Sequence, residues 1–168
     1  MVRVYLKQAA IIWATFGGFV LLLIVAVTTS NVGAFAIDRA VRHFDTTFLA
    51  LPGFEDFVRL AISSAALMFF PYCQSMRGHV SVDILISRIN LKVQWALDVF
   101  SLILTVVLAL FLAYWMGFGL LETKADNAVS QVLGWHEWPF YIPGILSLLL
   151  WALIAFMQIF EPKSNSDD

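Results

Sequence analysis

The sequence predicts an all-α integral membrane protein, with four transmembrane helices and a short amphipathic cytoplasmic helix between the second and third. Three observations carry this. Of 168 residues, 61% are hydrophobic and only 13% are charged, with a mean hydropathy of +0.84; soluble domains run at about 45–50% apolar and about 25% charged. Four long apolar runs account for about half of the chain, and a bilayer span needs roughly 20 such residues. The only cysteine, Cys73, excludes an intrachain disulfide framework or a Cys-rich metal site. The same composition argues against disorder, and a net charge of −2 offers no basic surface for nucleic acid.

The runs are Ala9–Val27, Leu60–Met76, Val99–Leu121 and Trp138–Phe160, of 19, 17, 23 and 23 residues. With their flanks they predict spans at about 9–30, 56–76, 95–121 and 138–160 of a single four-helix domain covering 1–168. Arg3 and Lys7 before the first run, and Ala34-Phe35-Ala36 after it, resemble parts of a signal peptide. The run exceeds the ~7–15 residues of a signal core, so an uncleaved anchor is the expectation. In the second run, Pro71 removes a backbone donor and leaves the carbonyl of Leu67 without its usual partner, which predicts a kink.

Orientation follows from the cations. Arg3, Lys7, Arg77, Arg88, Lys92 and Lys163 fall on one side; Arg39, Arg42, Arg59 and Lys124 fall on the other, where acidic residues accumulate. Both termini are therefore expected on the cytoplasmic side. Trp95, Tyr114, Trp115, Trp135, Trp138 and Tyr141 cluster near span ends, where a ring body and a polar edge are both accommodated.

Between the first two spans, Ile37, Val41, Phe44 and Phe48 recur at helical spacing and predict a short interfacial helix. In the cytoplasmic loop, Ser81 is a helix cap and Asp83 lies in the first turn, with Val82, Leu85, Ile86 and Ile89 forming an apolar face. That pattern fits a helix lying on membrane lipid or packed on another protein. The segment Lys163–Asp168 is polar and expected to fray.

Catalytic chemistry finds few residues. His43, His79 and His136 lie outside the spans, and no GxSxG, HExxH or P-loop pattern occurs. No enzyme activity and no cofactor or metal is expected. A self-sufficient transporter should place an ionisable residue deep in a span, and none lies there; Ser63, Ser64, Ser101, Thr105 and Ser147 more commonly pack helices. Two charged clusters remain. Glu55 and Asp56 precede Arg59 by four and three residues, which permits a local ion pair or a docking contact. His79 and Asp83 are four apart, which permits a local cap and hydrogen bond or an interface role.

Three stretches stand out: Leu51-Pro52-Gly53-Phe54-Glu55-Asp56-Phe57-Val58-Arg59, then Arg77-Gly78-His79-Val80-Ser81-Val82-Asp83-Ile84-Leu85, then Trp138-Pro139-Phe140-Tyr141-Ile142-Pro143-Gly144. Together they resemble a known family, the small permease subunit (DctQ type) of tripartite ATP-independent periplasmic (TRAP) transporters. Within them, Glu55, Asp56, Arg59, Arg77, His79, Asp83, Trp138 and Pro143 are the candidates for a subunit interface or a structural role. The long, charged first loop departs from the family pattern.

The resemblance implies a non-catalytic inner-membrane subunit of a sodium-coupled uptake system for organic anions. Its implied partners are a large permease subunit, which carries the substrate and sodium sites, and a periplasmic substrate-binding protein. The small subunit would pack on the large subunit's scaffold and support docking. A partner-facing stripe of small residues is then expected, with Ala61, Ala65 and Met68 on span two and Ala109, Ala113 and Met116 on span three. The alternatives are a self-contained small homo-oligomeric exporter or channel, and a redox or quinone-handling four-helix protein.

Overall fold

A computed structural model of the chain describes residues 2–41, 52–76 and 91–160. Among them the helices are α1 (Val2–Val41), α2 (Phe54–Leu67), α3 (Phe70–Ser75), α4 (Leu91–Ala125) and α5 (Tyr141–Ile159), with a 3-10 turn, Trp138–Phe140, leading into α5. Four of the resulting helical stretches are long and apolar enough to cross a membrane, α2 and α3 counting as one. The protein is an all-α membrane protein, as its apolar runs predict. The cytoplasmic helix expected around Ser81–Ile89 lies outside the described residues, as do Arg77, His79 and Asp83.

At ~1.5 Å per residue, α1 and α4 are about 60 and 50 Å long, well over the ~30 Å hydrocarbon core. Each must tilt or project beyond the apolar layer. The length of α1 corrects one expectation. Ile37 begins no separate interfacial helix; it sits on the last turns of α1, which runs without a break through Asn31 and Gly33. Nothing between Thr28 and Val41 stops a helix, since no proline intervenes and the glycine is isolated. Phe44 and Phe48 lie outside the described residues.

The second crossing breaks where Pro71 demands it. α2 ends at Leu67, Met68 and Phe69 form a tight turn, and α3 restarts with Pro71 in its first turn, where no N–H is needed. The Phe69 N–H reaches back to Ala66 O, and Cys73 N–H picks up Phe69 O at 2.9 Å. The kink therefore costs few hydrogen bonds.

α5 is the central helix and packs against α4, α3 and α2, with a smaller contact to α1; α1 lies mainly on α2 and α3. Ala109, Ala113, Leu148, Trp151 and Ala152 form the core, with Leu67 and Met116 against it. Small residues let the backbones approach closely. This overturns the partner-facing stripe: Ala61, Ala65, Met68, Ala109 and Ala113 are buried against the chain's own helices. What faces outward instead is large and apolar, including Phe100, Leu104, Val107, Phe111 and Trp115 on α4 and Phe16, Phe19 and Leu22 on α1.

Several polar side chains inside the bundle pair across helices. Trp13 Nε1 donates to Ser147 Oγ at 2.6 Å, joining α1 to α5. Gln74 Nε2 donates to Gln158 Oε1 at 2.6 Å, Gln158 Nε2 donates to Gln74 O at 2.8 Å, and Trp151 Nε1 donates to Gln74 Oε1 at 3.1 Å. Both glutamines are buried, where an unmade hydrogen bond is expensive, so the closed set ties α3 to α5.

Candidate functional site

One end of the bundle is closed by a folded cap. It is built from the N-terminal turn of α2, the loop 126–137 between α4 and α5, and the 3-10 turn. Construction begins at Gly53, whose φ of +81 places it in the left-handed region that glycine enters freely. Its carbonyl accepts from the N–H of both Asp56 and Phe57, which starts α2. A side chain here would also meet Leu133, whose Cγ lies 2.8 Å from where a Cβ would stand.

Asp56 is turned by this start toward the loop. Its Oδ2 accepts from the backbone N–H of Val132 at 2.7 Å and of Leu133 at 3.2 Å. Ser130, itself buried, accepts through Oγ from the Trp135 N–H at 3.1 Å, while Ser130 N–H donates to Trp135 O at 2.8 Å. Positive φ at Asn127 and Gly134 turns the chain on either side, and an isolated antiparallel bridge joins Val129 to His136. The loop is thus closed on itself and pinned to α2 by one carboxylate.

The remaining braces are at the edge. Arg59 Nη2 donates to Glu137 Oε1 at 2.5 Å, so the ion pair runs from α2 to the loop and not within one helix. Ser64 Oγ donates to the Phe140 carbonyl. The Trp135 ring stacks on Phe140, with centroids 6.4 Å apart and planes 10° from parallel. Lys124 Nζ sits 5.3 Å from the ring centroid of Trp138, within cation–π range.

The sequence-derived candidates separate accordingly. Asp56, Arg59 and Trp138 belong to the cap. Glu55 is exposed beside it, and Pro143 lies half-buried in the first turn of α5. Arg77, His79 and Asp83 lie outside the described residues. Val132, Leu133, Ser130 and Glu137 are the cap residues that sequence reasoning missed. Glu137 had one local signal, its place directly before Trp138-Pro139 at the entry to the last span. Gln74 and Gln158 were missed as well, although they are amides inside apolar runs.

Chemically, the cap is a holder. Two of its carboxylates, Asp56 and Glu137, are committed to backbone amides and to a guanidinium, and among the described residues no group of three His, Cys, Asp or Glu side chains could share a metal ion. What it presents outward is a fixed surface carrying Val129, Val132 and Trp135.

Comparison with known proteins gives the family of the chain. A family model described as tripartite ATP-independent periplasmic transporters, DctQ component, matches residues 32–163. No curated protein and no solved structure matches the chain. The match takes in α2 to α5, the cap and the end of α1; the chain belongs to the DctQ family and is a small, non-catalytic membrane component of a TRAP transporter.

Proposed function

We propose that this chain is the static small subunit of a sodium-coupled transporter for organic anions. It packs beside the fixed scaffold of a large permease subunit, and its cap helps to receive a periplasmic substrate-binding protein. The observation that carries this reading is the packing of the bundle. Its centre is filled by Ala109, Leu148, Ala152 and Ala155, and the middle of every apolar run is free of charge. A body of this kind suits support, with solute and sodium handled by another subunit.

The orientation that fits is N- and C-termini cytoplasmic in the inner membrane, from the cation distribution. The cap then faces the periplasm, where the binding protein would arrive. The broad apolar faces of α1 and α4 suit a large permease or membrane lipid. His79 and Asp83 would act at the opposite, cytoplasmic side.

The test is uptake by vesicles holding the large permease, with the binding protein and solute outside and an inward sodium gradient. Uptake is expected only when this chain is co-reconstituted. Equal uptake without it would overturn the reading. Solute flux by this chain alone would favour the homo-oligomeric exporter or channel instead.

A further inference from the structure

At the end of the bundle opposite the cap, the start of α1 and the ends of α3 and α5 leave a cleft of about 160 Å³. That is roughly ten times the volume a single water needs. Its lining is divided by chemistry. Val4, Ile154 and Met157 give an apolar wall, and Lys7 and Gln158 supply an ammonium and an amide, while the Ser75 hydroxyl at the rim donates to Tyr72 O at 2.8 Å.

We infer that this cleft is a binding site for one anionic phospholipid, whose phosphate is held by Lys7 and Gln158 and whose acyl chain follows the apolar wall along α1 and α5.

Four features point to this occupant. First, the polar donors are at the right depth. Lys7 stands two residues before the uncharged run Ala9–Val27 begins, which places its ammonium where hydrocarbon gives way to headgroups. Second, the amide is fixed before any ligand arrives. Gln158 is buried, its Oε1 accepts from Gln74, and its Nε2 donates to Gln74 O while carrying a second N–H. Trp151 locks Gln74 in turn. A donor held this way loses little freedom when it binds. Third, the donors favour a phosphate without a neighbouring cation. The Lys7 ammonium would repel the amine of a zwitterionic headgroup and attract the net charge of an anionic one. Fourth, an apolar wall beside a cation at a bundle surface is the pattern of lipid pockets between membrane helices. A soluble anion would have no use for Val4, Ile154 and Met157. The inference rests on the proposed orientation only for its choice of leaflet, the cytoplasmic one; it does not depend on the transported solute or coupling ion.

The full chain, purified in mild detergent and exchanged into phosphatidylcholine with a minor share of phosphatidylglycerol, tests it by native mass spectrometry. One retained phosphatidylglycerol per chain is expected, above its share of the mixture. Lys7→Ala should weaken the affinity for that lipid about fivefold, the effect of one basic residue near an anionic headgroup, and so lower its occupancy, and Lys7→Arg should retain it. Both variants should melt as the wild type does in pure phosphatidylcholine, because Lys7 is exposed. Occupancy that follows the bulk mixture, or survives Lys7→Ala, would overturn the inference. A third arm adds inorganic phosphate: displacement of the lipid by free phosphate would assign the cleft to a soluble anion and overturn it equally. Sodium-driven uptake is measured separately, so failure of the lipid site and failure of the transport reading are distinguishable.

Discussion

The carboxylate of Asp56 and the backbone N–H of Val132 lie 2.7 Å apart, joined across 76 residues of sequence. That single contact decides where the loop between the last two long helices sits. Backbone donors in a short connection seldom all find partners within it. Here two consecutive ones, at Val132 and Leu133, are met by a side chain of another helix. Asp56→Ala should therefore free the loop without unfolding the bundle. Amide hydrogen exchange is expected to quicken at Val132 and Leu133 first, then across 126–137, while α5 stays protected. Glu55→Ala, which removes the exposed neighbouring carboxylate, should leave the loop unchanged. Equal exchange in both variants would remove Asp56 as the pin.

The Arg59–Glu137 pair makes a weaker brace. The Arg59 side chain is 59% exposed, and exposed pairs contribute about 0.2–1 kcal/mol. A double-mutant cycle on thermal stability in detergent should give a coupling within that range. Arg59→Glu should cost more than Arg59→Ala, because it sets three acids, Glu55, Asp56 and Glu137, around the new one. Adding Glu137→Arg to Arg59→Glu should recover part of the loss. A reversal that recovers nothing would locate the contribution of Arg59 elsewhere.

These two contacts also show what sequence spacing reveals. Apolar runs and Pro71 carry their meaning locally: a run long enough to span is a helix, and a proline in it is a break, whatever packs nearby. A turn, though not its left-handed form, is legible in Pro52-Gly53 on the same local grounds. Partner choice is not local. Arg59 has carboxylates three and four residues behind it, yet its guanidinium turns to Glu137, because the fold brings that residue closer in a better direction. Asp56 reads as a helix-start acid in sequence and is a loop clamp in the structure. The alanine positions illustrate a second limit. Their spacing marks a helix face suited to close contact, but a monomer's own α5 and a partner's helix ask for the same residues. The end of α1 shows the same limit: the polar residues after the first apolar run do not stop the helix, and Asn31 is buried within it.

Close helix approach makes two glycines unequal. A Cβ at Gly17 would stand 2.8 Å from Met68 Cβ and 3.2 Å from Ala65 O, both fixed to the backbone where α1 crosses α2. A Cβ at Gly144 would stand 2.4 Å from Met116 Cε, the free end of a flexible side chain. Gly17→Ala should force the helices apart and cost about 1–3 kcal/mol, the usual range for overpacking. Gly144→Ala should cost less, since Met116 can change rotamer and alanine favours a helix by about 1 kcal/mol over glycine. Unfolding in graded denaturing detergent orders the two; a larger loss at Gly144 would contradict the assignment.

The buried amides yield the most discriminating prediction, because their contributions should not add. Gln158→Leu removes the acceptor of Gln74 Nε2 and the donor to Gln74 O. Gln74→Leu removes the partner of Gln158 Oε1 and the acceptor of Trp151 Nε1. Each single change leaves a polar group stranded in an apolar interior and should cost about 1–3 kcal/mol. Hydrogen bonds within membranes sometimes contribute less, about 0.6 kcal/mol on average, so the single values alone are a weak test. The combination is stronger. Gln74→Leu with Gln158→Leu strands two groups of that set, the Trp151 N–H and the backbone carbonyl of residue 74, and Trp151→Phe removes the first of them. Stability should therefore recover from the singles toward the triple variant, apart from packing lost at the indole. Costs that simply sum would mean that the two amides act independently and that the contacts between them contribute nothing to holding α3 on α5.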